Sequence, residues 1–291
     1  MYIIVGPTAV GKTTFAISIA KKLNTEIISA DSRQCFKELS IGVARPSNEE
    51  LAEVPHHFIA SNAVSEDINA GYFEKYALNT TEQIFKKNDA AIMVGGTGLY
   101  IKAFCEGIDP MPIVSAEIRE AIIQEYRAKG LIWLQLELKH KDPAFWEIAE
   151  QQNPQRLMRA LEVFNATGKS ITVFRSAVKK QRHFSTIKIG LELPMDLLAE
   201  RINNRVDQMI KDGLIEEVKS MINWRGKAAL QTVGYNEIFD YLDNKISLDE
   251  AIHQIKIHSR QYAKRQMTWF KKDEEVKWFD ARKINIEDIN S

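Results

Sequence analysis

Gly6-Pro7-Thr8-Ala9-Val10-Gly11-Lys12-Thr13 reads as a complete phosphate-binding loop that begins after only five residues. The apolar run Tyr2-Ile3-Ile4-Val5 precedes it and the helical pattern Thr14–Ala20 follows, which is the strand–turn–helix context the motif requires. Gly6 and Gly11 let successive backbone N–H groups curl round an anion, and the start of the helix adds its positive end. Lys12 brings a formal charge to the same phosphates, and the Thr13 hydroxyl stands where Mg²⁺ is held. The motif predicts a bound di- or triphosphate and does not say which.

Working outward, short apolar runs at Tyr2–Val5, Glu26–Ser29, Ala90–Val94, Ile187–Leu193 and Val276–Phe279 carry the isoleucine and valine of buried parallel strands. Helical patterns lie between them at Thr14–Leu23, Gly71–Phe85, Pro194–Ile222 and Leu248–Lys271. With a phosphate loop after the first strand, this alternation predicts an α/β fold: a P-loop NTPase-like parallel sheet with helices on both faces. From Ile113 to Phe184 the rhythm breaks into a wholly helical stretch, entered through Gly107, Pro110 and Pro112. The expected organisation is a core of residues 1–112 and 185–291 with a helical insertion at 113–184.

The 291 residues suffice for a large core, and 39 Lys plus Arg balance 39 Asp plus Glu, so total charge points to no polyanionic partner. The two cysteines, Cys35 and Cys105, lack paired ligand spacing and read as reduced thiols rather than a zinc site. No apolar run approaches the roughly 18–20 residues that span a bilayer, so no membrane partner is expected. With the loop under way at residue six, no signal peptide fits, and a cytoplasmic location is expected.

Several constellations carry chemistry. Asp31, in Ala30-Asp31-Ser32-Arg33-Gln34, stands at the carboxyl end of the second strand, pointing into the ligand crevice of such sheets. It can serve as magnesium ligand or general base, or simply cap the following segment. The next strand ends Val94-Gly95-Gly96-Thr97-Gly98, where nucleotide hydrolases usually place a magnesium-binding acid. Glycines there let another chain approach closely, and Thr97 offers a hydroxyl, which favours a transferase admitting a bulky acceptor. Arg201 and Arg205 share one helix face and can reach the loop's anion or pair with Glu200 and Asp207.

Basic residues cluster twice. Pro154–His183 holds seven Lys or Arg against one acid, Glu162; His253–Lys272 holds six and no acid, with Tyr262, Trp269 and Phe270 interleaved. Two such clusters in a chain of zero net charge suggest surfaces that grip the backbone of a nucleic acid. Other readings compete: a P-loop kinase acting on a nucleotide, prenyl transfer to free adenine nucleotides, or a non-enzymatic nucleic-acid-binding module. The first two leave the basic clusters unused, and the third has no use for Lys12 with Asp31.

The segments GPTAVGKT, ADSRQ, GVARPS, PHH, VGGTGLY, NPQRLMRALEV, RVDQMIKDGLIEEV, TVGYNE and RQYAKRQMTWFKK run almost end to end along the chain. Together they closely resemble the tRNA dimethylallyltransferase (tRNA isopentenyltransferase) family. The resemblance implies transfer of a dimethylallyl group from its diphosphate to the exocyclic amine of the adenosine 3′ of a tRNA anticodon, in tRNAs reading codons that begin with U. It implies a loop that holds an isoprenoid diphosphate, with Mg²⁺ as cofactor at Thr13, in a monomer whose partner is the anticodon stem-loop.

Residue by residue, the resemblance assigns the donor diphosphate to Gly6, Pro7, Thr8, Ala9, Val10, Gly11, Lys12 and Thr13. Asp31 becomes the general base, with Lys12, Thr97 and Arg205 completing the catalytic set and Arg205 touching the diphosphate. Asp31, Ser32, Arg33 and Gln34 would contact the extruded adenosine. Further tRNA contacts fall on Thr97 and Arg119; on Gln155, Arg156, Leu157, Met158 and Arg159; on Thr232, Val233, Gly234, Tyr235, Asn236 and Glu237; and on Lys264, Arg265, Gln266, Met267, Thr268, Trp269, Phe270 and Lys271. Where many relatives carry a tyrosine after ADS, this chain has Phe36, which can keep stacking without the hydroxyl. No Cys/His zinc finger follows Ala281, as in the shorter bacterial members.

Overall fold

In the computed structural model, which describes residues 1–176 and 178–289, the run Tyr2–Val5 is strand β1, and the phosphate loop leads from it into helix α1 (Lys12–Leu23). Then come β2 (Ile27–Ser29), α2 (Asn48–Glu53), β3 (His56–His57), α3 (Ala70–Phe85), β4 (Ile92–Val94) and α4 (Gly98–Glu106). Three helices follow without a strand: α5 (Ala116–Lys141), α6 (Pro143–Trp146) and α7 (Pro154–Thr167). The chain closes with β5 (Ile187–Glu192), α8 (Met195–Lys211), α9 (Leu214–Ser220), α10 (Tyr235–Leu242), α11 (Leu248–Phe270) and β6 (Val276–Asp280).

The strands form one sheet in the order β3-β2-β4-β1-β5-β6, parallel at every pairing. Because helices cover both faces of the sheet, β1 and β4 at its centre are apolar along their whole length. Ile4, Ile92, Val94, Ile189 and Leu191 share a core with Ala16, Ile19 and Ala20 of α1 and Leu198 and Ile202 of α8. The intervening Ile3, Ile28 and Met93 are wholly buried as well, so both faces are covered. Phe73 of α3 and Tyr100 of α4 stack at 4.4 Å between ring centroids, and Phe58 meets Phe73 edge-on at 5.1 Å. The carboxyl ends of β1, β2 and β4, adjacent in the sheet, bring the phosphate loop, Asp31 and Gly95-Gly96 together.

Two local departures have physical causes. Strand β3 is only two histidines long, so no apolar run announces it; Ile27 N–H and the Pro55 carbonyl draw it to the sheet edge. The single helix expected over Pro194–Ile222 is two, because Gly213 adopts φ +100° and starts a new helix in α9.

The chain divides into two compact units, one formed by Met1–Gly107 with the chain from Lys180 onward, the other by Ile108–Lys179. In the second unit α5 is interrupted at Gly130 (φ +73°). Ile122, Leu134, Leu138, Phe145, Leu157, Leu161 and Ile171 form that unit's own core. Lys180 and Arg182 of the basic run are not a solvated face. Arg182 donates to Glu74 at 2.9 Å and to the Phe104 and Ala103 carbonyls, and Lys180 also reaches Glu74. The two cations neutralise a buried acid and close the last turn of α4.

The glycines after β4 meet the protein's own chain. A Cβ on Gly95 would overlap the Ala30 backbone, one on Gly96 the Gln266 amide, and one on Gly98 the Trp269 indole. Their smallness therefore admits β2 and α11; the expected bulky acceptor is not what fills this space. Gly95→Ala is expected to cost about 3 kcal/mol in chemical denaturation, the upper range for overpacking against rigid neighbours. Gly226→Ala, whose Cβ would meet nothing within 4 Å, is the control and should be within about 0.5 kcal/mol of neutral.

Candidate active site

The phosphate loop is built by backbone conformation. Ala9 (φ +63°) and Gly11 (φ +106°) turn the chain so that Gly11 caps α1 with its carbonyl, which accepts from Phe15 N–H. Val10 faces the core, and its carbonyl accepts from Arg201 Nη1 at 3.3 Å. Lys12 Nζ folds back on the Pro7 carbonyl at 2.7 Å, and Arg205 Nη1 donates to the Thr8 hydroxyl at 3.0 Å. Asp207 is occupied by Lys256 at 2.6 Å, so Arg205 is left to the loop. Thr8 N–H is held by the Gln266 amide oxygen at 2.8 Å, and the Gln266 amide nitrogen donates to the Gly96 carbonyl at 2.9 Å. Thr8 is thus engaged on both its N–H and its hydroxyl by the protein itself.

Lys12 is half-buried, and Arg205, whose side chain lies at the exposed rim, is close enough to repel it. Burial, then the Arg205 charge, pushes Lys12 down to about 7, against the pull of Asp31. Burial also lowers Arg205, opposed by Asp31 and Glu50. Two cations that their surroundings disfavour form a site prepared for a polyanion.

A cavity of about 250 Å³ opens over this loop, lined by Thr8, Gly11, Lys12, Thr13, Asp31, Gln34, Val43, Ala44, His56, Gly96, Arg205 and Tyr262 among others. A second cavity, of about 120 Å³, is lined by Arg33, Ile202, Val206, Met209, Thr232, Val233, Gly234 and Ile255. Six residues wall both: Thr8, Asp31, Val43, Ala44, Arg205 and Tyr262. Asp31 Oδ1 accepts from the N–H groups of Arg33 (2.8 Å) and Gln34 (3.3 Å), an Asx turn that fixes the carboxylate. The capping contacts fall on Oδ1 alone. Thr97 stands behind Asp31 rather than beside the loop: its hydroxyl accepts from Ser32 N–H at 3.0 Å and locks that turn.

Thr13 lines the loop cavity with no hydrogen bond from its hydroxyl to the rest of the protein. No cluster of three or more His, Cys, Asp or Glu suited to a metal occurs among the described residues. The Thr13 hydroxyl would supply one of the one or two protein oxygens that Mg²⁺ takes when phosphates and water complete its shell.

Residues of the contiguous segments expected to contact RNA separate by helix face. Lys264, Arg265, Thr268, Trp269 and Lys271 are exposed, whereas Gln266 and Phe270 are buried. Lys271 reaches Glu192 at 2.7 Å, and Met267 is half-buried. On α7, Gln155 and Arg156 are exposed, Met158 and Arg159 half-buried, and Leu157 is in the core. Arg159 and the exposed Arg119 both pair with the buried Glu162. Thr232 and Val233 line the second cavity and Asn236 is exposed, but Tyr235 and Glu237 turn inward. A helix gives only part of any run to a partner. Phe36 is 2% exposed and packs in the core, so it offers no stacking surface.

Two side chains of the loop cavity were not singled out from the sequence. His56 Nδ1 faces the Val54 carbonyl at 2.7 Å, while its Nε2 is buried with no protein partner, and burial lowers its pKa. Its only signal was the PHH segment. Tyr262, on α11, stood out in the sequence only as an aromatic interleaved in the basic run, and nothing local marks it as a cavity residue.

A family model described as IPP transferase matches residues 34–273. The chain belongs to the IPP transferase family. A tRNA dimethylallyltransferase from Cytophaga hutchinsonii is 47% identical over 97% of this chain and 93% of its own length. One from Christiangramia forsetii is 47% identical over 95% and 92%. Among solved structures, a tRNA isopentenylpyrophosphate transferase from Bacillus halodurans aligns with TM-score 0.71 at 35% identity, covering 99% of this chain and 91% of that one. A eukaryotic dimethylallyltransferase captured acting on tRNA aligns with TM-score 0.78 at 25% identity, covering 100% and 76%. The all-parallel sheet is thus the P-loop NTPase-like fold of IPP transferases.

The Lys12 environment predicts a proton-linked site. A bound diphosphate stabilises the charged lysine, so binding is full below pH 7 and weakens as pH rises past it, by up to about tenfold per unit. Calorimetry with inorganic diphosphate from pH 6 to 9, read as wild type minus Lys12→Ala, should show that loss with proton uptake at pH 8. An identical pH profile in both proteins would contradict it.

Proposed function

We propose that this chain transfers a dimethylallyl group from dimethylallyl diphosphate to tRNA, at the exocyclic amine of the adenosine immediately 3′ of the anticodon, in tRNAs reading codons that begin with U. The names of its high-coverage relatives support the reaction, and one observation carries the mechanism: Asp31 stands on the wall common to the loop cavity and the second cavity. The first suits a diphosphate. The second, between Arg33 and Thr232–Gly234 with apolar sides, suits a flipped base; extruding it costs roughly a few kcal/mol.

In this reaction the allylic C–O bond breaks with its electron pair leaving on diphosphate. Lys12, Arg205 and the loop N–H groups neutralise the growing charge. The adenosine nitrogen forms the new bond to carbon, and its proton passes to Asp31, which the Asx turn holds in place. Mg²⁺ bound at Thr13 would add Lewis-acid stabilisation of the leaving diphosphate. His56 Nε2 adds a polar wall to the same cavity. Exposed cations on α11 (Lys264, Arg265) and in the helical unit (Arg119, Arg156) suit the RNA backbone. The proposal includes a cytoplasmic monomer, since one chain walls both cavities; among the described residues no helix is long and apolar enough to cross a membrane.

Incubation with labelled dimethylallyl diphosphate, offering bulk tRNA or AMP, tests the activity: label is expected in tRNA alone. ATP-dependent phosphorylation of a nucleotide would instead favour the kinase alternative. Asp31→Ala is expected to lower turnover about 10²–10⁴-fold with tRNA affinity nearly unchanged; near wild-type turnover would remove Asp31 from the base role. Neutralising Lys264 and Arg265 together is expected to weaken tRNA binding and reduce the slope of log affinity against log salt by about 1–2. An unchanged slope would exclude that helix as a backbone contact.

A further inference from the structure

The wall shared by the two cavities includes Val43 and Ala44, in a stretch that belongs to no helix or strand. Ala44 is held at φ +48°, which a non-glycine residue adopts only under outside constraint. Gln34 Nε2 holds the Val43 and Ala44 carbonyls at 3.2 and 2.9 Å, Ala44 N–H closes a turn on the Ile41 carbonyl at 3.0 Å, and the base of that turn is fastened by one distant carboxylate. Glu217 Oε2 accepts from the N–H groups of Ser40 (2.9 Å) and Ile41 (2.8 Å), and Oε1 from that of Gly42 (2.9 Å). Three consecutive backbone N–H groups facing one point make an anion nest. Here α9 supplies the anion.

Glu217 Oε1 also accepts from the Tyr235 hydroxyl at 2.5 Å. Tyr235 is fully buried, and its ring lies against Gly42 so closely that a Cβ there would come within 2.6 Å. Burial, reinforced by the Glu217 charge, pushes the phenol far above its ordinary value, so it remains a donor. Tyr235 directly follows Thr232, Val233 and Gly234, which line the second cavity. A single carboxylate therefore fastens the shared wall to the segment bordering the second cavity.

We propose that Glu217 is a positioning residue for the transfer reaction: it holds the Gly42–Ala44 wall in register with the Thr232–Tyr235 segment, so that donor and acceptor meet at Asp31 in one geometry. The proposal rests on the function given above and deepens it. Glu217 touches neither the diphosphate loop nor Asp31, so its loss should leave the anion site intact and misplace the reacting partners.

Glu217→Gln keeps the side chain's shape but replaces one acceptor oxygen with an amide donor facing backbone donors. The expected result is a kcat lower by roughly 10–100-fold, with affinity for inorganic diphosphate within about twofold of wild type and a folded protein by circular dichroism. Tyr235→Phe removes one of the four donors and should lower kcat less, roughly 3–10-fold. In the double variant the losses should fall short of their product, because both act on one network. A Glu217→Gln enzyme with kcat within twofold of wild type would overturn the proposal. So would a loss of kcat matched by an equal loss of diphosphate affinity and by unfolding, which is the signature of a purely structural role. Should Glu217→Gln fail to fold, a Tyr235→Phe enzyme of unchanged kcat would overturn it equally. A wild-type protein that moves no label from dimethylallyl diphosphate to tRNA would overturn the functional reading and this one with it.

Discussion

The buried amide of Gln266 is the joint on which the site depends. Its oxygen takes the Thr8 N–H and its nitrogen gives to the Gly96 carbonyl, so one side chain fixes the phosphate loop to the end of β4. Buried amides hold position strongly because an unmet partner costs about 1–3 kcal/mol. The joint also requires α11 to lie against the glycines that follow β4, where any larger residue would displace Gln266 or Trp269. The same helix turns Lys264 and Arg265 outward and Tyr262 toward both cavities. In the proposed function, grip on phosphate, grip on RNA backbone and the wall between donor and acceptor would all be set by one helix in one register.

Electrostatics give the site its purpose. The half-buried Lys12 and the rim residue Arg205 stand beside one another and disfavour each other's charge, an arrangement that a bound anion would relieve. In the proposed reaction, a leaving diphosphate would supply that relief, since its charge rises as the bond breaks. Asp31 is the counterweight on the same wall, near enough to moderate both cations yet tied back by its Asx turn. A cation pair and an anion around the loop cavity, with Asp31 and Arg205 also facing the second cavity, would suit group transfer better than hydrolysis, because the second cavity would receive the transferred carbon in place of water.

Much of this was legible in the chain itself. The phosphate loop, the strand–helix alternation and Asp31 follow from local patterns, because the physics that makes them is local: backbone N–H groups at a helix start, alternation across a strand, a carboxylate at a strand end. Other features were hidden because they depend on partners far along the chain. Gly96 and Gly98 look like room for an acceptor until Gln266 and Trp269 are seen to fill that room. Lys180 and Arg182 look like an RNA-binding run until Glu74 is found beneath them. Runs such as 264–271 mix outward and inward residues, and no motif separates the exposed Lys264 from the buried Gln266. Strand β3 and the nest that receives Glu217 have no sequence signature, being made by edge pairing and by backbone N–H groups.

The most direct measurement is a crystal structure with a thiolodiphosphate analogue of dimethylallyl diphosphate and an anticodon stem-loop. The account predicts the diphosphate against Lys12, Thr13 and Arg205, the flipped adenine in the cavity bordered by Thr232–Gly234, and its exocyclic amine within hydrogen-bond reach of Asp31. A base bound elsewhere, or a diphosphate away from the Gly6–Thr13 loop, would contradict it.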